Sequence, residues 1–512
     1  MVKLGVIATV LALSLGACSE DAKTQANGPW DPDKEQPLVE PVQIAEAGDT
    51  VHVALDAAAA AVNESGSDLR GSPFEGNGKG AHLVGPTIRV RPGQKIAVTF
   101  KNGLDAETNI HYHGLHVSPG GESDNVFRVF KNGETYTSTV AVGEHHPVGT
   151  YWYHVHLHGI SEGQVMGGLS GLLIVEGLET HLTPPQPNIK QQQLAIREVS
   201  LVKDTNQIAT SPSDINIGSP TAFLVNGQLY PKIAISQGET QLWRVANIGP
   251  NGMYTALKLV NKETGTPAEY AIVAEDGNPL FEGKQWRTTT ADLPAGKRYD
   301  ILVTGPAAGT YELRATFLDT DKPLALVNVT SGQLRGAGPS NAALTTDADG
   351  VRRNLSGLPN VKTREFRFEF GGDGPDKDHL CQGDGACINE VGYARNRLDV
   401  AVHIGDVEEW TLLNYSAAPH PFHIHVNEFQ VIQIGDQKQE PTGMEDVVTI
   451  PARNGTTPGK VVIRNEFRDF NGWFVYHCHI LRHEDEGMMQ NIQVLGPGDT
   501  EGPPPPDSMH DM

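Results

Sequence analysis

A ten-residue pattern that begins with glycine and ends with asparagine occurs three times in this 512-residue chain. In its first copy, Ile96, Val98 and Phe100 alternate with smaller or polar residues, which is the period of a half-buried β-strand. Such a repeat at equal length predicts tandem copies of one β-rich unit. The three copies are GQKIAVTFKN (93–102), GETQLWRVAN (238–247) and GDVEEWTLLN (405–414).

A second pattern follows each copy of the first one. It reads GTYWYHVH from residue 149, GTYELRAT from 309 and GWFVYHCH from 472. Turn residues separate these segments and no long helical period is visible, so we expect an all-β fold of sandwiches or barrels. Two matching patterns in each of three places predict three related domains.

Histidine pairs occupy corresponding positions in the outer copies only. His111 and His113 begin nine residues past the first asparagine, and His423 and His425 stand at the same distance in the third copy. The second pattern carries His154 and His156, then His477 and His479, in the outer copies. The middle copy has other residues at these four positions, namely Ala256, Lys258, Arg314 and Thr316. We therefore expect metal ligands in the first and third domains.

Two residues apart on a strand, the rings of a His-x-His pair lie on one face. Eight imidazoles that converge in this way suit copper or iron better than a structural zinc site, which has four ligands and often cysteine pairs. Cys478 stands between His477 and His479 and must face the other way. Together with His420, His483 and Met488 it makes a blue-copper ligand set. One strand thus predicts two metal sites, joined by covalent bonds over roughly 10 Å.

Composition limits the partners and the compartment. With 39 Lys+Arg against 62 Asp+Glu the net charge is −23, which argues against binding to nucleic acid. The start, MVKLGVIATVLALSLGAC, predicts a signal peptide over 1–18 whose Cys18 resembles a lipidated cysteine, followed by a tether over 19–45. We expect an exported periplasmic or cell-envelope lipoprotein that contacts the membrane only through its lipid.

An exported protein permits disulfides, so Cys381 and Cys387 are either a disulfide or two free thiols.

These histidine motifs, with Cys478 and Met488, resemble those of the three-domain multicopper oxidases, the family of laccases and cuprous oxidases. The resemblance implies three cupredoxin-like Greek-key domains over 46–178, 179–340 and 341–497, with a disordered tail over 498–512. It implies four copper ions per chain in a type 1 site and in a trinuclear cluster between domains one and three, with domain two as a spacer. The implied ligands are His420, Cys478, His483 and Met488 for type 1; His111 and His423 for type 2; and His113, His154, His156, His425, His477 and His479 for the type 3 pair.

The resemblance also implies a mechanism. Electrons from a small reducing substrate enter through His483 at type 1 copper, and dioxygen is reduced to water at the cluster. Met488 as axial ligand implies a low to middling potential. Protons are consumed, so we expect carboxylates near the cluster: Glu484, Asp124 and, at the same turn as Glu484, Asp485.

Three functions are compatible with these sequence features. A laccase-like oxidase of phenols or other organic donors is the first. A cuprous oxidase for copper tolerance, or another metal-ion oxidase, is the second, although only 8 methionines are present where such relatives often carry a methionine-rich segment. A non-catalytic scaffold or copper carrier is the third, and the retained ligands argue against it.

Overall fold

The computed structural model describes residues 36–502 except 65–66, 211–213, 215–220, 282–285, 318, 333–352, 360, 371–380 and 382–384. The predicted signal peptide, Cys18 and most of the predicted tether lie outside the described residues. Strands make up 51% of the chain and helices 4%, which confirms the all-β prediction. Within the described residues no helix is long and apolar enough to span a membrane.

The N-terminal sandwich contains the first eleven strands. Its two main sheets have the orders β1-β7-β11-β10 and β6-β5-β2-β8-β9, and β3 pairs with β4. Buried residues of both sheets, such as Ile88 and Val98, share one core. The strands are β1 Gln43–Ile44, β2 Thr50–Ala57, β3 Ala60–Glu64, β4 Ser67–Gly71, β5 Phe74–Gly76, β6 Ala81–His82, β7 Gly85–Val90, β8 Lys95–Asn102, β9 Thr135–Ala141, β10 Gly149–His154 and β11 Ser170–Val175.

The middle sandwich follows. Its described residues form the strands β12 Gln191–Ser200, β13 Thr221–Val225, β14 Gln228–Leu229, β15 Lys232–Ser236, β16 Thr240–Asn247, β17 Tyr254–Asn261, β18 Pro267–Ala268, β19 Tyr270–Glu275, β20 Asn278–Pro279, β21 Trp286–Thr288, β22 Ala291–Leu293, β23 Arg298–Thr304, β24 Gly309–Phe317 and β25 Thr320–Thr330. One sheet has the order β14-β13-β12-β16-β23-β19-β20, with β21 beside β19. The other has the order β15-β25-β24-β17-β18, with β22 beside β17. Trp243 and Leu313, one from each sheet, lie in the shared core.

The C-terminal sandwich has the same plan. Its sheets have the orders β27-β26-β29-β34-β31-β32 and β28-β36-β35-β30-β33, and Trp410 and Phe422 lie in the core between them. The strands are β26 Lys362–Phe370, β27 Ala386–Ile388, β28 Val400–His403, β29 Val407–Asn414, β30 His420–Ile424, β31 Phe429–Ile434, β32 Gln437–Lys438, β33 Val447–Ile450, β34 Gly459–Glu466, β35 Gly472–Cys478 and β36 Met489–Leu495. Two short helices, α1 Ser161–Met166 and α2 Leu481–Asp485, and a 3₁₀ turn at Leu178–Thr180 complete the described elements.

The first repeat occupies equivalent strands, β8, β16 and β29, and each pairs in parallel with an earlier strand of its own sandwich. The opening glycines have φ of 86°, 75° and 91°, a conformation that favours glycine. Each closing asparagine is buried and accepts a hydrogen bond from the backbone N–H two residues on, at 2.9, 3.2 and 2.8 Å. The pattern therefore marks a strand start and an Asx turn at its end.

The chain is folded before residue 46, where the first domain was predicted to begin. Leu38 donates its backbone N–H to Lys232 O at 2.9 Å, and β1 pairs in parallel with β7. Residues 36–44 thus bind both the N-terminal and middle sandwiches, because their backbone completes sheet edges that would otherwise be unpaired. The domain boundaries themselves stay a prediction.

Candidate metal centres

Strand β35 separates the two predicted metal sites. It pairs with β30 so that Phe422 lies opposite Cys478 and His423 lies opposite His477. Successive side chains of a strand point to opposite faces. Cys478 accordingly approaches His420 and His483, whereas His477 approaches His156 and His425.

The Cys478 side of the strand forms a compact donor set. Its Sγ lies 3.5 Å from His420 Nδ1 and 3.6 Å from His483 Nδ1, and these two nitrogens are 3.1 Å apart. Metal–nitrogen bonds of about 2.0–2.1 Å and metal–sulfur bonds of about 2.3 Å place donors of one ion at such separations. Burial raises the pKa of the Cys478 thiol, so a bound cation is needed to hold it as thiolate.

Met488 is tied to the same set by its backbone. It is fully buried, its N–H donates to His483 O at 2.8 Å, and its carbonyl accepts from Cys478 N at 3.0 Å. His483 is partly exposed while His420 is buried, so His483 is the side chain of this donor set that solvent can reach.

On the other side, the eight paired histidines form one buried cluster between the outer sandwiches. The His-x-His pairs of the two sandwiches stack crosswise. His111 lies on His425 with ring centroids 3.8 Å apart and 6° between planes, and His113 lies on His423 at 3.8 Å and 12°. The first histidine of each pair therefore stacks on the second histidine of the other pair.

Three groups of nitrogens converge within the cluster. His477 Nε2 lies 3.1 Å from His156 Nε2 and 3.3 Å from His425 Nε2. A second group contains His479 Nε2, which lies 3.1 Å from His113 Nδ1. The remaining donors include His111 and His423, whose Nε2 atoms are buried and have no hydrogen-bond partner among the described residues.

The opposite ring nitrogens are fixed by acceptors, which leaves the inward nitrogens as ligands. His111 Nδ1 lies 3.0 Å from both Asp124 oxygens, and His154 Nδ1 donates to Val155 O at 2.8 Å. His423 Nδ1 donates to Asp446 O at 2.8 Å. Burial lowers the pKa of these rings, so they are neutral and able to bind metal. The donor set therefore fits copper, which imidazole and thiolate ligands suit.

The three predicted carboxylates occupy different positions. Asp124 accepts from His111, and burial raises its pKa to about 8. Glu484 is buried against His477 Nδ1 at 3.0 Å and His156 Nδ1 at 3.5 Å. Burial opposes its ionisation, but these histidines outweigh burial and lower its pKa.

Asp485 holds another part of the fold. Its carboxylate accepts the backbone N–H groups of Gly159, Ser161 and Glu162 at 2.7, 3.1 and 2.8 Å. Burial raises its pKa to about 7. Asp485 thus joins α2 to the start of α1, rather than contacting a cluster histidine through an ion pair as Glu484 does.

The strand period was only partly right for the histidines. His154, His420, His423 and His477 lie on strands, but His111 forms an isolated bridge to His154 and His113 follows it in a turn. Their rings share the cluster because the turn is held by that bridge, with His111 N donating to His154 O at 2.8 Å.

Two further residues at the cluster were missed by sequence reasoning. Asp446 Oδ1 lies 3.1 Å from His113 Nε2, and Trp152 stacks on His154 at 4.2 Å. Trp152 stands two residues before His154 in GTYWYHVH, which is a local signal. Asp446 in GMEDVV has no such neighbour.

Two further cysteines lie among the described residues. Cys381 and Cys387 form a disulfide with Cα atoms 5.7 Å apart.

The middle sandwich has no histidine at the positions equivalent to the histidine pairs of the outer sandwiches. There Lys258 and Arg314 pair across strands and both approach Asp321, at 3.3 and 2.6 Å.

Comparison with known proteins agrees with this geometry. Two multicopper oxidase family models match residues 74–180 and 362–496. A multicopper oxidase of Staphylococcus aureus is 28% identical over 428 residues, 81% of this chain and 83% of that protein. The cell division protein FtsP of Xenorhabdus nematophila is 24% identical over 435 residues, 81% of this chain and 84% of that protein. The chain belongs to the multicopper oxidase family.

Solved structures extend the likeness to the whole fold. A multicopper oxidase of Campylobacter jejuni, described as a metallo-oxidase, matches with a TM-score of 0.72 and 22% identity over 91% of this chain and 97% of that one. This likeness concerns the fold. The family matches make the protein a laccase-like oxidoreductase that binds copper.

Proposed function

We propose that this protein couples one-electron oxidation of phenolic or similar organic donors at a type 1 copper to the four-electron reduction of dioxygen at a trinuclear copper cluster. The observation that carries the proposal is the two-sided strand β35, which gives Cys478 to one donor set and His477 to the other. When bound, copper supplies the redox chemistry, in which four electrons from donors and four protons convert O2 into two waters. The rest of the mechanism belongs to the side chains.

The ligands divide between the two centres as follows. His420, Cys478, His483 and Met488 would hold type 1 copper, and His111 and His423 would hold type 2 copper. For the type 3 pair, short nitrogen separations support one set of His156, His425 and His477. They also join His479 to His113, and His154, whose nitrogen converges with that of His113, would complete the other set.

The chain itself would connect the two centres. Cys478 is bonded through its backbone to both His477 and His479, and His477 Nδ1 also lies 3.1 Å from the Cys478 carbonyl oxygen. The sulfur ligand of one centre is therefore joined to ligands of the other by covalent bonds and by one hydrogen bond. No diffusing carrier is needed between them.

Glu484 is the side chain best placed to deliver protons to the cluster. It contacts His156 and His477, one from each outer sandwich, and Ser161 Oγ donates to its Oε1 at 3.3 Å. A carboxylate in reach of two ligand rings and a hydroxyl can take up a proton and pass it inward to the cluster. Asp124 accepts a hydrogen bond from His111 and would deliver protons in the same way on the type 2 side.

The donor class rests on the surroundings of His483. The ring of Phe370 lies 4.5 Å from the His483 ring at 38°, so an aromatic face adjoins the partly exposed ligand. Arg482 lies next to it and pairs with Glu486 at 3.0 Å. In the described part of the chain no acidic side chain forms an ion pair with His483. An aromatic donor fits this apolar surrounding better than a metal cation does.

A metal-ion oxidase is the second candidate, since the C. jejuni protein is described as a metallo-oxidase. Steady-state oxygen uptake by the copper-loaded protein separates the two, with a phenol, Cu(I) and Mn(II) as donors. We expect the highest kcat/KM with the phenol. Faster uptake with Cu(I) or Mn(II) would assign the protein to the metal oxidases, and uptake with none would refute both.

A further inference from the structure

Asp446 connects ligands from both outer sandwiches. Its Oδ1 lies 3.1 Å from His113 Nε2, and its backbone oxygen accepts from His423 Nδ1 at 2.8 Å. These contacts fix the protons on the outer nitrogens, so His113 Nδ1 and His423 Nε2 face the cluster as lone pairs. Asp446 is 2% exposed, so its carboxylate needs a buried partner of opposite charge.

Arg298 of the middle sandwich is that partner. Its Nη1 and Nη2 donate to the two oxygens of Asp446 at 2.6 and 2.7 Å, which is a bidentate contact. Its Nε donates to Thr150 O at 3.2 Å, and Nη1 also donates to Gly296 O at 3.1 Å. A single guanidinium, fully buried, therefore binds all three sandwiches.

Asp276 of the middle sandwich binds both residues of the Arg298–Asp446 pair. Its Oδ1 accepts from Arg298 N at 3.0 Å, and its Oδ2 accepts the N–H groups of Asp446 and Val447, each at 3.0 Å. Lys297 Nζ adds a contact to Asp276 at 3.0 Å. The backbone and the side chain of Asp446 are thus both bound to the middle sandwich.

The same loop of the middle sandwich touches the cluster directly. A Cβ on Gly296, whose φ is +84°, would lie 2.9 Å from His479 Cδ2 and 3.1 Å from His113 Cε1. The backbone therefore packs against two ligand rings at a distance that admits no side chain. The middle sandwich, whose described residues include none of the proposed ligands, thus contributes part of the wall of the proposed copper site.

We propose that Arg298 is a positioning residue for the trinuclear copper centre, acting through Asp446 on His113 and His423. The inference rests on the proposed trinuclear centre. It changes the role of the middle sandwich, which the sequence predicted to be a spacer, into a support that sets the orientation of one type 3 and one type 2 ligand. The type 1 site, on the other side of β35, has no contact with Arg298 among the described residues.

The test compares Arg298→Gln with Arg244→Gln in the copper-loaded protein. Arg244 is a matched control, since it is fully buried in the same sandwich and pairs with Asp300 at 3.0 Å. Asp300 in turn binds the N-terminal sandwich through Thr150 Oγ1 at 2.6 Å, without contacting a histidine. Copper per chain, the blue absorption and the Cu(II) electron paramagnetic resonance (EPR) spectrum are measured, and a competing chelator gives copper affinity.

We expect Arg298→Gln to retain the blue absorption and to lose roughly 10–100-fold in affinity for the cluster copper, with an altered type 2 EPR signal. Arg244→Gln should keep the blue absorption and the type 2 EPR signal. Arg298→Lys keeps the positive charge but cannot make the bidentate contact, so its loss of copper affinity should lie between those of Arg298→Gln and Arg244→Gln. Should Arg298→Gln fail to fold, Arg298→Lys and Arg244→Lys carry the comparison.

Wild-type affinity and EPR parameters in the Arg298 variants would overturn the inference. So would an equal loss in the Arg298 and Arg244 variants, because it would indicate general loosening. A wild-type protein without the blue band or with type 1 copper alone would overturn the proposed function as well. That outcome is recognised before any substitution is made.

Discussion

Replacing Gly487 by alanine should disturb the proposed type 1 site without replacing any of its proposed ligands. Gly487 lies between His483 and Met488 and has φ +116°. An added Cβ would lie 2.8 Å from Ala386 O and 3.1 Å from Gly392 Cα. Because a relaxed contact needs about 3.5 Å, the ligand loop or the neighbouring strand must move by roughly 0.5 Å or more.

The magnitude follows from two contributions. A Cβ in left-handed backbone costs about 1–2 kcal/mol, and the overpacked contact adds about 1–3 kcal/mol. Gly405→Ala isolates the first contribution, since Gly405 has φ +91° and no atom within 4 Å of the added Cβ. If about 1.4 kcal/mol of the overpacking cost acts on only one oxidation state of type 1 copper, the reduction potential of that copper shifts by about 59 mV.

The assay is a redox titration of the blue absorption in wild type and both variants, with urea unfolding for stability. We expect both variants to lose stability and Gly487→Ala alone to change the type 1 potential and the blue band. The same potential and band in the two variants would refute the reasoning that this glycine sets the position of Met488 and His483.

Three further results are expected. Glu484→Gln should lower oxygen uptake by roughly 10²–10⁴-fold with copper content and blue colour unchanged, and unaltered uptake would remove Glu484 from proton delivery. Replacing Cys381 and Cys387 together by serine should cost about 2 kcal/mol in urea unfolding, because the bond closes a short loop; equal stability would show that the bond constrains little. Burial raises the pKa of Glu40 from 4.5 to about 7, so folding favours its protonated form and stability should fall as pH rises through that window. Glu40→Gln should flatten this slope, and an unchanged slope would place its origin elsewhere.

Sequence reasoning could predict which histidines converge with each other because metal chemistry restricts both residue type and spacing. The His-x-His pairs and the reversal at Cys478 need only the two-residue period of a strand. His111 and His113 still reach the cluster from a turn, since the bridge to His154 holds them there. Repetition of the Gly and Asn positions also predicted three units, because each marks the same strand start and the same Asx turn.

Long-range partners could not be predicted in this way. Arg298 and Asp446 are 148 residues apart, and no local period connects them. Asp485 stands beside Glu484, yet its oxygens bind the backbone of α1. Adjacent carboxylates on a short helix point to different neighbours, and only packing decides which of them reaches the histidines.

Copper content and absorption of the wild type and of Cys478→Ser test the central claim most directly. If β35 serves two centres, the wild type binds type 1, type 2 and paired type 3 copper and is blue. Cys478→Ser should then lose the blue band and one copper per chain while keeping the type 2 EPR signal. A variant that stays blue, or that loses the cluster copper along with type 1, would contradict two separate centres on opposite faces of one strand.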